Sequence, residues 1–90
     1  MKINLTHIST NGHGYLKVSL YDLKGWGFEI EKDFSSFSFI DPVTHNVYLE
    51  EDCDATKFMK TMKSKGYEIN TIEDHWPDFY PSEVFLRFVA

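Results

Sequence analysis

One cysteine, three prolines and five glycines in 90 residues exclude several familiar designs. A lone Cys53 cannot close an internal disulfide, so no disulfide framework supports the fold and a reducing compartment is expected. No apolar run approaches the roughly 20 residues that span a bilayer, and no charged-then-apolar leader opens the chain. The expectation is a soluble, cytoplasmic protein with no membrane contact. Basic residues are scarce too: 9 Lys and Arg stand against 14 Asp and Glu, for a formal net charge of -5. Binding nucleic-acid phosphates takes clustered Lys and Arg, so no direct nucleic-acid contact is expected. No Pro/Gly/Ser linker, charge block or internal repeat interrupts the chain, which reads as a single domain over residues 1–90.

Aromatic residues are abundant, with 8 Phe, 5 Tyr and 2 Trp. A chain this short buries only about 60% of its unfolded surface, so large rings suit its small core. Residues 2–8 alternate Ile3, Leu5 and a shifted Ile8 with polar residues and predict a strand. Asn11-Gly12-His13-Gly14 is turn material with an accessible histidine, and residues 15–20 complete a hairpin with Leu16, Val18 and Leu20 on one face. Residues 19–24 predict a one-turn helix, capped by Ser19 and stopped by Gly25. Residues 28–34 alternate briefly, as an edge strand or a loop.

A second hairpin is predicted from residues 37–41 and 47–50 around a Pro42 turn. Phe37 and Phe39 share one face of it, Val47 and Leu49 share another, and Tyr48 points away from those two. Ala55, Phe58, Met59 and Met62 then fall at i, i+3, i+4 and i+7, which predicts an amphipathic helix over 54–65. Asp52 or Asp54 would cap it, late lysines suit its negative end, and Gly66 would end it. Residues 67–72 read as a further strand, and residues 82–90 as a last one. The fold class expected is α+β: a small antiparallel sheet of two hairpins plus a further strand, with one main amphipathic helix packed across it.

The stretch Val-Tyr-Leu-Glu-Glu-Asp-Cys-Asp (47–54) concentrates four carboxylates and the only thiol. Capping requires one Asp and leaves Glu50 and Glu51 as strand-end charges. A helix start favours a thiolate, whereas neighbouring carboxylates disfavour a second anion, so Cys53 is expected as a small buried side chain. His7, His13, His45 and His75 show none of the short spacings of a zinc site. Trp76, Phe79 and Tyr80 lie among prolines in an acidic tail. They are either interface anchors or a cover for the sheet.

Gly-His-Gly-Tyr-Leu (12–16), Ser-Ser-Phe-Ser-Phe (35–39) and Tyr-Leu-Glu-Glu-Asp-Cys-Asp (48–54) ahead of an amphipathic helix resemble a family of small proteins of bacteria, phages and other mobile elements. The resemblance covers about residues 10–72, and the acidic motif is its most specific part. Asn11 stands where that family carries a histidine, and the tail after Ile72 is acidic and aromatic rather than basic. What the resemblance implies is context, an accessory role in a phage or mobile element, rather than a reaction.

Two functional expectations follow. The first is a non-enzymatic, cofactor-free interaction factor for a basic protein, such as one that handles nucleic acid. Its contact residues would be Glu50, Glu51, Asp52, Asp54, Trp76, Phe79 and Tyr80. The alternative is a metal-binding module or metal-dependent hydrolase built from His13, Glu50, Asp52 and Cys53. Homo-oligomerisation through sheet edge and aromatics is a third possibility.

Overall fold

Alternating apolar and polar side chains form strands where their period predicts them. A computed structural model describes residues 1–35, 37–79 and 86–87, the last pair by backbone alone. Within these residues the strands are β1 (Lys2–Ser9), β2 (Gly14–Ser19), β3 (Phe39–Ile40), β4 (Asn46–Glu50), β5 (Glu68–His75) and β6 (Leu86–Arg87). The helices are α1 (Leu20–Gly25), α2 (Ile30–Asp33) and α3 (Thr56–Ser64). A π-helical turn, Glu51–Ala55, leads into α3.

The sheet order is β5-β1-β2-β4-β3-β6. The fold is the expected α+β arrangement with one main helix, but the sheet is mixed rather than purely antiparallel. β1 and β5 run parallel, from Lys2 beside Glu68 to Ser9 beside His75, while the other neighbours are antiparallel. β4 and β5 therefore point the same way. Parallel strands need a crossover, and here α3 carries the chain back over the sheet to its far edge. Gly66, at φ +92°, supplies the left-handed turn that ends the crossover helix.

The face beneath α3 holds the larger core. Leu16 and Val18 of β2 and Val47 and Leu49 of β4 meet Phe58 and Met62 of α3, with Leu23, Phe28 and Phe34 closing one side. Met59, expected in the same stripe, lies at its margin and is exposed. The expectation of strand or loop at 28–34 is replaced in part by the short helix α2, which lets Phe28 and Phe34 stack at 5.5 Å.

On the opposite face Ile8, Tyr15, Phe39 and Tyr48 form a second apolar layer, covered by Trp76 and Phe79. Phe79 contacts Tyr48 at 5.1 Å and Tyr15 at 5.9 Å between ring centres. These two tail aromatics therefore cover the sheet, while Tyr80 and all of 82–90 except 86–87 lie outside the described residues. Phe37 does not share the buried face of Phe39: it is exposed in the turn before β3. Burial pushes the Tyr48 phenol above its ordinary pKa, helped by the Asp41 charge. Asp41 itself is held below the usual carboxylate range by the Val43 amide and the Thr44 hydroxyl, which fasten the β3–β4 turn.

Candidate functional site

In β1 the side chains of Ile3 and Leu5 pack into the core under α3. Strand alternation sends His7 to that same face, two residues on, where the core gives way to the head of the helix. His7 Nδ1 lies 2.7 Å from Glu73 Oε2, and Nε2 lies 3.2 Å from Glu51 Oε2. Glu73 is the register partner of His7 on β5, and Glu51 opens the π-helical turn. Two residue pairs further along, Ser9 Oγ meets His75 Nδ1 at 3.0 Å. Three distant segments thus converge in one polar patch at the end of the sheet.

Gly14 makes the patch sterically permissible. A Cβ placed there would lie 2.1 Å from Glu51 Oε2 and 2.9 Å from His7 Nε2. The Gly14→Ala variant should keep its fold, because the Glu51 carboxylate ends a flexible side chain that can swing outward. It should also uncouple the pair. In a double-mutant cycle, Glu51→Gln is expected to cost up to about 1 kcal/mol in wild type and about 0.3 kcal/mol or less beside alanine. Equal costs in both backgrounds, measured by urea unfolding, would contradict the role given to Gly14.

The acidic motif divides its duties differently from expectation. Glu50, not Asp52 or Asp54, caps the helix start: its two oxygens accept the Asp52 and Cys53 amides at 3.2 and 3.1 Å. Asp54 is buried, at 2% exposure. It accepts the Ser35 amide at 3.0 Å, the Ser35 hydroxyl at 2.7 Å and the Ser38 hydroxyl. Ser38 Oγ in turn accepts the Glu50 amide at 3.0 Å, so the loop before β3 is tied to the head of α3. Asp54 is thereby removed from any outward acidic edge. Cys53, expected buried, is exposed, because the inward positions of the turn go to Asp54 and Ala55.

No protein-family model, curated protein or solved structure matches this chain. Chemistry must therefore be read from the groups themselves. The ligand set His13, Glu50, Asp52 and Cys53 is not brought together: His13 is exposed on the β1–β2 turn, and Glu50 folds onto its own helix start. Among the described residues no three His, Cys, Asp or Glu side chains gather in a metal-holding geometry. Both nitrogens of His7 face carboxylates, Glu73 on one side and Glu51 on the other. No helix among the described residues is long and apolar enough to cross a membrane.

His7 and Glu73 were not singled out by sequence reasoning. The available signal was the shift from Leu5 to Ile8, which puts a histidine on the parity that the core side chains occupy. Its carboxylate partner could not be inferred, because the parallel pairing of β1 with β5 is not visible locally.

Proposed function

We propose that this chain is a non-enzymatic interaction factor that holds a basic protein partner through the carboxylates around the head of α3. The observation that carries the reading is the meeting of Glu51 and Glu73 on one histidine, beside exposed Asp52. Among the described residues no Lys or Arg lies within the 4.0 Å of an ion pair from any carboxylate. These charges are consequently available to an external cation. The contact set narrows to Glu51, Asp52 and Glu73, with Glu50 as the helix cap behind them; Asp54, Trp76 and Phe79 serve the fold. A cytoplasmic partner that handles nucleic acid fits the charge, and the family resemblance suggests an accessory role in a phage or mobile element.

The triple variant Glu51→Gln, Asp52→Asn, Glu73→Gln tests this by titration calorimetry against a lysine-rich synthetic peptide. Three neutralised exposed charges should weaken binding about tenfold. Wild-type binding should also fall as ionic strength rises from about 0.05 to about 0.5 M. Equal affinity of wild type and variant would refute the reading.

A further inference from the structure

Among the described residues β5 is the outermost strand of the sheet and is hydrogen-bonded on one side only. Which of its groups are open follows from two bonds: the Glu68 and Trp76 amides donate to Met1 and Ser9 carbonyls at 2.8 and 2.9 Å. The even-numbered residues thus address β1. Ile69, Thr71, Glu73 and His75 turn their N–H and C=O groups outward over a strand of eight residues. A long open edge of this kind is a ready template for another strand.

What flanks the edge differs from end to end. Beside its beginning lies a largely apolar groove of about 370 Å³ lined by Met59, Lys60, Lys63, Tyr67, Glu68 and Ile69. Near its end stand Glu73 and Glu51. A residue paired opposite Ile69 shares its face and reaches the groove, while one opposite Glu73 reaches the carboxylates. The two positions are four residues apart in an incoming strand.

We propose that the open edge of β5 takes up an extended segment of a basic protein by strand addition, with a Lys or Arg opposite Glu73 and an apolar residue four positions away in the groove. The segment runs antiparallel, the slightly more stable pairing, so its basic residue precedes the apolar one. Lys60 and Lys63 at the groove oppose the reversed placement, since they would repel a cation there. Net charge also opposes a second copy, since self-pairing would bring together two chains that each carry -5. The inference rests on the acidic-surface reading and adds the mode of binding and the spacing recognised.

The test uses two acetylated eight-residue peptides of equal charge. One alternates threonine and valine, with lysine four positions ahead of leucine; the other carries the same lysine and leucine but has prolines that prevent pairing. The first should bind and slow hydrogen exchange at the Ile69, Thr71, Glu73 and His75 amides about tenfold, leaving the even-numbered amides of β5 unchanged. Thr71→Pro should fold normally, because the lost N–H points to solvent, and should weaken that peptide at least about tenfold. Equal binding of both peptides, or undiminished binding by Thr71→Pro, would overturn strand addition and leave the acidic surface standing. Binding of neither would overturn both. Odd-numbered amides already protected in a concentration-dependent dimer would assign the edge to a second copy, and retention of a small apolar molecule alone would assign the groove to a ligand; either outcome overturns the proposal.

Discussion

Phe58→Ala should destabilise the domain by about 4 kcal/mol, the largest single-residue effect expected here. Phe58 has no exposed surface and sits at the meeting point of α3 with the aromatic side of the core. Its ring contacts Phe28 at 5.4 Å and Trp26 at 6.0 Å. Truncation removes the apolar area of the ring and also leaves a void that a sheet on one side and a helix on the other cannot easily collapse. A domain of this size has a total stability of about 5–15 kcal/mol, so the loss is a large part of the whole. The thermal midpoint should fall by on the order of 20 °C. Phe58→Leu, which keeps most of the volume, should lose about 1.5 kcal/mol. A midpoint for the alanine variant within a few degrees of wild type would mean that α3 is not the keystone of this face.

Asp54→Ala should cost about 3 kcal/mol, although it removes far less volume. The carboxylate answers three donors of the loop before β3: the Ser35 amide, the Ser35 hydroxyl and the Ser38 hydroxyl. Among the described residues no buried side-chain nitrogen or oxygen lacks a partner, and this substitution would strip one from buried groups. Asn at the same position keeps the shape and one acceptor oxygen, so Asp54→Asn should lose about half as much. Calorimetric unfolding gives the magnitude, and faster exchange at the Ser35 amide gives the location. If Asp54→Ala matched Asp52→Ala, whose side chain is exposed, the buried anchor would be refuted.

The parts legible in the sequence were those governed by a local period. β2 and β4 alternate, β1 alternates as far as Leu5, and α3 follows from Ala55, Phe58 and Met62, because burial on one face leaves a repeating mark. The site was legible only as a region. Its four carboxylates share a segment, yet they separate into a cap, a partner of His7, an exposed charge and a buried anchor. Partners 12 to 19 residues away in the loop before β3 decide the role of Asp54 and position Glu50. No spacing rule covers such contacts. The parallel placement of β5 was likewise invisible, since residues 67–72 read equally well as an antiparallel neighbour.

The pairing of β1 with β5 also has a timetable. His7 and Glu73 are 66 residues apart, so during synthesis at about 5–20 residues per second the first strand exists for several seconds before its neighbour emerges. Until then β1 has one bare flank. Lys2, Asn4 and Thr6, interleaved with Ile3 and Leu5, keep that flank from being uniformly apolar during the wait. β5, once it has joined, takes over from β1 as the border of the sheet, so a nascent chain and a finished one present different borders to their surroundings.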